Sequence, residues 1–261
     1  TATQATTTIA AGAWSLEREA QLPRAHRRKY FAYQPSGGYG NQRMILRWAL
    51  IVANAMNRTL LVAPLAGHSD IWHGYNEFAA SDLVRADAVL DARALAEAVD
   101  YGVEFLDDAP HRVVERAAKA GLSVVEHVKP HYKYSGGRKK WWWMRESEIR
   151  DAWARDERDV VFWAKISMWL CCGTDLGGDY VWYGRHIMFS AELKRLARTL
   201  ADRPPLSGKY NAVHVRRGDN AQRDRSSAAT FFKAHHLDAF DASLPLFIAT
   251  DEPDVAWFAS W

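Results

Sequence analysis

The stretch YFAYQPSGGYGNQRMILRWALIVANAMNRTLLVAP, residues 30–64, decides the fold. Tyr30 to Pro35 is aromatic and apolar and reads as a short β-strand. Residues 36–41, SGGYGN, read as a tight glycine loop. From Gln42 to Asn57 the apolar residues Ile45, Trp48, Ile51, Val52 and Ala55 recur at helical spacing, and Asn57 fits a helix stop. Thr59 to Pro64 is a buried strand that Pro64 closes. Strand, glycine loop, helix and strand make a βαβ unit of a parallel sheet.

Outward from that unit, residues 1–29 read as a leader or tail. They open small and polar (TATQATTTIAAGA) and end on the basic run RAHRRK. The body therefore starts at Tyr30. Residues 65–110 read as loop and then helix, and HRVVERAAKAG as a helix with Gly121 at its C-cap. Residues 122–128 read as a strand, 129–140 as a turn or loop, and 141–170 as helices rich in aromatics. The glycine-rich run GTDLGGD suggests a domain boundary within 172–188. A second α/β pattern follows: helix 190–202, a break at RPPLSG, strand 209–219, helix 228–240 and strand 244–254. The expected domains are 30–175 and 176–261.

The composition narrows the function classes. The chain has 261 residues, of which 48% are hydrophobic and 25% charged, the profile of a folded protein. Lys and Arg number 34 and Asp and Glu 31, so the net charge of +3 gives no global case for nucleic acid or a membrane surface. The two cysteines, Cys171 and Cys172, are adjacent, which excludes a disulfide framework and a CxxC metal pattern. The histidines show no metal-ligand spacing, and no apolar run is long enough to span a bilayer. Twelve Trp is a high count, and Trp serves in cores and also stacks on sugar rings and bases.

Three constellations carry chemistry. The first is Gly37-Gly38-Tyr39-Gly40-Asn41, between a strand and a helix N-terminus. Glycines let the backbone approach a ligand, and the free N–H groups and the helix dipole favour an anion, a phosphate above all. It is neither a dinucleotide fingerprint nor a Walker A loop. The second is His214-Val215-Arg216-Arg217-Gly218-Asp219 at a strand exit. His214 and Arg216 share a face. Ligands of open α/β sheets bind outside the carboxyl ends of strands, and a guanidinium forks onto a diphosphate. The third is Ala249-Thr250-Asp251-Glu252-Pro253, polar groups after an apolar strand that would also serve as a helix cap. SGGRKKWWW mixes basic and aromatic residues as a single-strand nucleic-acid contact would, although a loop ahead of an aromatic helix is the plainer reading.

Together these runs resemble the GDP-fucose protein O-fucosyltransferase family. The resemblance is carried by residues 37–64 (GGYGNQ…NRTLLVAP), by HVRRGD at 214–219 and by FIATDEP at 247–253. It implies a GT-B-like α/β architecture of two Rossmann-like domains, the second stopping short at Trp261. It implies an enzyme that moves fucose from GDP-fucose to a hydroxyl of a protein or glycan acceptor, inverting and metal-independent, with no cofactor beyond the donor. By position, Arg216 is the catalytic arginine that holds the β-phosphate and helps GDP leave. Gly38, Gly40 and Asn41 lie beside the diphosphate, and His214, Arg217, Asp219, Thr250 and Asp251 line the nucleotide pocket. The family works in the lumen of the endoplasmic reticulum or Golgi, and the absent disulfide framework leaves the cytoplasm open.

The sequence departs from the family twice. Some members place a Glu in the loop, where this chain has Gly37, Gly38 and Tyr39. That leaves Asp219, Asp70, Glu77 or late loss of the acceptor's proton for the base. The family also has a further segment after the last strand, so the nucleotide pocket within these 261 residues is expected to be incomplete. A non-catalytic fucosyltransferase-fold protein, acting as a structural or binding component, is the alternative.

Overall fold

A computed structural model describes residues 15–67, 78–127, 132–135, 138–141, 146–153, 155–164, 177–215, 230, 240–250 and 255–260. The chain divides into two compact units, Thr1–Ser190 and Ala191–Trp261.

The first unit begins with helix α1 (Leu16–Ala20), whose first turn is capped by the Ser15 hydroxyl, which accepts from Arg18 N at 3.2 Å. The expected leader is therefore folded from residue 15 onward. Leu16 is buried in the core, and the buried Glu19 accepts from the Tyr30 hydroxyl at 2.9 Å and from Arg28 N at 2.6 Å. A buried carboxylate that is satisfied in this way fixes the segment to the sheet. The polar, basic composition of 1–29 hid this apolar anchor.

β1 (Tyr30–Tyr33) follows, then α2 (Tyr39–Ala55) and β2 (Thr59–Val62), the βαβ unit expected from the sequence. α2 starts inside the glycine loop, three residues before Gln42. It ends as the sequence suggests: Asn57 takes φ +55°, Arg58 N donates to Ala53 O and Asn57 N donates to Asn54 O. That left-handed cap satisfies the last carbonyls of the helix. Arg58, 1% exposed, donates to the carbonyls of Tyr30, Asp156 and Arg158 and to an Asp156 carboxylate oxygen. It thereby ties the amino ends of neighbouring strands together.

Short helices α3 (Ala86–Val89) and α4 (Ala92–Glu97) lead to β3 (Val103–Phe105), a strand the sequence did not announce. α5 (Pro110–Lys119) has Pro110 in its first turn and Gly121 at φ +99° just past its end, as its pattern promised. β4 (Val124–His127) is next. The expected loop 129–140 contains an antiparallel hairpin, β5 (Tyr132–Ser135) and β6 (Arg138–Trp141). Within 141–170, α6 (Glu146–Trp153) is the expected helix, but β7 (Val160–Trp163) is a strand buried at every position. A four-residue apolar run carries no period of its own, so a central parallel strand and a buried helix look alike in sequence.

α7 (Gly177–His186) completes the unit. The sequence placed the boundary at 175/176, whereas α7 and the residues up to Ser190 group with the first unit. Asn54 Nδ2 on α2 donates to the Tyr183 hydroxyl on α7 at 2.6 Å. A Cβ at Gly184 would stand 2.6 Å from the Arg47 guanidinium, so α7 lies close on α2.

The five strands form one parallel sheet in the order β3-β2-β1-β7-β4. Phe31 and Tyr33 face the cluster built on α2, and Tyr30 and Ala32 face the cluster with Leu16, Val113 and Val114. Helices thus cover both faces, as a parallel sheet requires. The chain leaves β1 for β2 on one side and finds β7 on the other. The strand order reverses at β1, which puts the ligand crevice of such sheets at its carboxyl end.

The second unit contains α8 (Ala191–Ala201) and the parallel pair β8 (Asn211–Val215) and β9 (Leu246–Thr250). Both strands and α8 match the expected elements. The expected helix 228–240 lies almost wholly outside the described residues. Val215, fully buried, packs with Val213, Ile248, Phe240, Trp257 and Phe258.

Candidate functional site

The carboxyl end of β1 runs straight into the glycine loop. Gly37 takes φ +73°, and a Cβ there would stand 2.4 Å from Asn41 Nδ2. Gly38 is the N-cap of α2 in an extended conformation, with no side-chain cap and no acidic residue in the first turn of the helix. Asn41 N and Gln42 N both turn back to Gly38 O, at 2.9 and 3.1 Å. Gly40 is exposed, and a Cβ there would meet nothing within 4 Å. A helix of 17 residues therefore opens on bare backbone, with its positive dipole end unneutralised. Gly38, Gly40 and Asn41 sit together in this one turn.

Two glutamines that the sequence did not single out stand out here, and one of them holds the turn. Gln42 Nε2 donates to Gly37 O at 2.8 Å and Ala66 O at 3.0 Å, and its Oε1 accepts from Ala66 N at 3.1 Å. It staples the loop to the segment after β2. Gln34 follows β1 directly, and its backbone N donates to Trp163 O at 3.0 Å. It is 7% exposed, and neither atom of its carboxamide has a hydrogen-bond partner among the described residues. A buried amide left unpaired costs about 1–3 kcal/mol per group. The signal in sequence was a polar residue between an apolar strand and Pro35.

Tyr39 and Arg43, one turn apart on α2, fix the flank of the loop. Tyr39 stacks on Phe189 at 6.1 Å, and the Arg43 guanidinium lies over both rings at 5.8 and 5.6 Å while Nη2 donates to Ile187 O at 3.1 Å. Burial pushes the Tyr39 phenol up, against the pull of the Arg43 charge.

In the second unit, His214 is exposed on β8 beside the inward-facing Val213 and Val215, which is the alternation expected of it. Thr250 ends β9, paired in register with Val215, while His214 pairs with Ala249. These two sites therefore share the carboxyl end of one parallel pair. Arg216, Arg217, Asp219 and Asp251 lie outside the described residues, as do the base candidates Asp70 and Glu77. Among the described residues no His, Cys, Asp or Glu group is arranged to hold a metal ion.

Comparison with known proteins adds the family. The model of the GDP-fucose protein O-fucosyltransferase family matches residues 30–236, from the first residue of β1 to beyond the His214–Asp219 run. No curated protein matches the chain in sequence. Among solved structures, POFUT1 in complex with GDP-fucose matches with a TM-score of 0.55 at 10% identity, over 89% of this chain and 81% of that one. A second crystal form of that complex gives 0.51 at 12% identity, over 93% and 82%. The fucosyltransferase NodZ from Bradyrhizobium gives 0.45 at 19% identity, over 87% and 73%. The likeness to POFUT1 is one of fold, α/β and GT-B-like. The family match spans most of the chain and includes both the glycine turn and the arginine run. The chain thus belongs to the GDP-fucose protein O-fucosyltransferase family and is a GDP-fucose-dependent fucosyltransferase.

Proposed function

We propose that this chain moves fucose from GDP-fucose to a hydroxyl of a protein or glycan acceptor, with inversion and without a metal. The acceptor oxygen attacks C1 of fucose, the C1–oxygen bond to GDP breaks, and GDP leaves with the bonding pair. Arg216 is the proposed catalytic group, since a guanidinium on the β-phosphate stabilises the charge that GDP gains on leaving. Gly38, Gly40 and Asn41 take the diphosphate side of the donor, and His214, Arg217, Asp219, Thr250 and Asp251 the nucleotide. The acceptor's proton passes to Asp219, Asp70 or Glu77, or is lost late to water. The proposed setting is the lumen of the secretory pathway. Among the described residues no helix is long and apolar enough to cross a membrane.

The observation that carries this reading is the open helix start at the switch point of the sheet. Glycine at position 40 weakens the helix by about 0.5–1 kcal/mol relative to alanine and relieves no clash. Close approach of a ligand to the backbone accounts for it. The test is NMR of GDP-fucose hydrolysis, with water as acceptor and EDTA present. The expected result is that the anomer formed first is inverted relative to the donor, that EDTA leaves the rate unchanged, and that Arg216→Ala lowers it by about a hundredfold or more. A retained anomer, loss of activity in EDTA, or an active Arg216→Ala variant contradicts the mechanism.

A further inference from the structure

Three of the five residues from Gly37 to Asn41 are glycine. Such a backbone has the most freedom to lose when it is ordered for a ligand, so groups outside it must hold it. Gln42 holds one side, through Gly37 and Ala66. On the other, Tyr39 is the one residue of 37–40 that has a side chain. Its ring stacks on Phe189, with centroids 6.1 Å apart and planes 16° apart, and the Arg43 guanidinium lies over both rings. The Tyr39 hydroxyl is buried and has no hydrogen-bond partner among the described residues. The ring, and not the hydroxyl, is what this position uses.

Phe189 is carried by a segment that is tied down at each residue. Arg43 Nη2 donates to Ile187 O at 3.1 Å, Asp91 N to Met188 O at 2.8 Å and Ser190 N to Val89 O at 2.8 Å, while Phe189 bridges Leu90. The segment is thus fixed by its backbone, and the Phe189 ring, 38% exposed, is no core residue. What the ring does is meet the first residue of α2.

Arg43 stands where helix stability argues against it. Side chains on a helix lean toward its N-terminus, and here the guanidinium lies over the first residue of α2, at the positive end of the dipole. α2 contains no acidic residue, and its other cation, Arg47, is four residues on, the spacing at which like charges repel. Both costs lessen when an anion sits on the helix start.

We propose that Phe189 and Arg43 are positioning residues for the donor: acting through the Tyr39 ring, they hold the glycine turn in the conformation that receives the diphosphate. This rests on the fucosyltransferase assignment. A turn held in advance spares the nucleotide the cost of ordering it.

The test uses the full chain with Phe189→Leu, which keeps apolar cover but loses the ring, Phe189→Tyr, which keeps the ring, and Arg43→Lys, which keeps the charge but loses the planar guanidinium. Hydrogen exchange of the free protein reads the Asn41 and Gln42 amides, which bond to Gly38 O. They are expected to exchange about tenfold faster in Phe189→Leu and Arg43→Lys and at the parent rate in Phe189→Tyr. The same two variants are expected to bind GDP about tenfold more weakly, and to raise KM for GDP-fucose in hydrolysis while kcat stays at the parent value. Phe189→Tyr is expected to match the parent in both. Parent-like exchange and GDP binding in Phe189→Leu and Arg43→Lys, equal losses in Phe189→Tyr, or a fall in kcat at unchanged KM overturns the proposal. Absence of GDP binding by the parent chain overturns the donor reading, and the exchange rates still judge whether the two side chains hold the turn.

Discussion

Gly37 and Gly40, three residues apart, are glycines for different reasons. At Gly37 the left-handed backbone, φ +73°, disfavours any side chain, and a Cβ there would also press on the Asn41 carboxamide. A side chain in that conformation costs about 1–2 kcal/mol before any displacement of Asn41. Gly37→Ala is expected to lower the melting temperature by a few degrees and to weaken stabilisation by GDP. At Gly40 the backbone is helical and the space is open, so Gly40→Ala should raise the melting temperature of the free protein while still weakening the GDP effect. A melting curve of each variant with and without GDP separates the two. Stabilisation by GDP that survives Gly40→Ala intact means that no ligand comes near that backbone. The glycine turn was legible because glycine, asparagine and a following helical period are local signals. Gln42 was not legible as the staple of the turn, because its partner Ala66 is fixed by the fold and lies far along the chain.

At the scale of elements, caps and amphipathic periods were readable and central strands were not. α2, α5 and α8 appear where their patterns put them, and Asn57 and Gly121 end two of them in left-handed conformations. β7 was hidden among aromatics, and α1 was hidden because one buried leucine in a polar segment makes no pattern. α5 also carries the clearest pH dependence. Burial alone would raise the Asp108 carboxyl, but hydrogen bonds from Arg112 and Arg116, 2.7 Å each, hold it at about 2. Arg116 further reaches Glu17 of α1 at 3.4 Å, so this carboxylate helps dock α1 on α5. A carboxyl depressed on folding stabilises the protein above its unfolded value, 3.8, and loses that contribution as pH falls toward 2. Asp108→Asn should therefore destabilise the chain at neutral pH and flatten the loss of stability between those values. Acid unfolding followed by circular dichroism checks this, and a variant with the parent's full acid sensitivity would place its origin elsewhere.

At the scale of the molecule, the βαβ reading of residues 30–64 led to a five-stranded parallel sheet, and the second α/β pattern led to a separate unit with β8 and β9 side by side. The boundary moved from 175/176 to 190/191 because a tyrosine and a glycine on α7 complete the packing of α2, a long-range fit that no local composition shift records. The proposed site residues belong to both units: Gly38, Gly40 and Asn41 to the first, His214 and Thr250 to the second. The central claim of the proposal is that the chain binds GDP, with Arg216 on the phosphates. Thermal unfolding of the full chain with GDP, with UDP and CDP as controls and Arg216→Ala alongside, tests that claim most directly. The account predicts that saturating GDP raises the melting temperature by several degrees, that UDP and CDP do not, and that Arg216→Ala abolishes the shift while melting normally without ligand. An equal response to all three nucleotides, no response to GDP, or a full GDP shift in Arg216→Ala would contradict it.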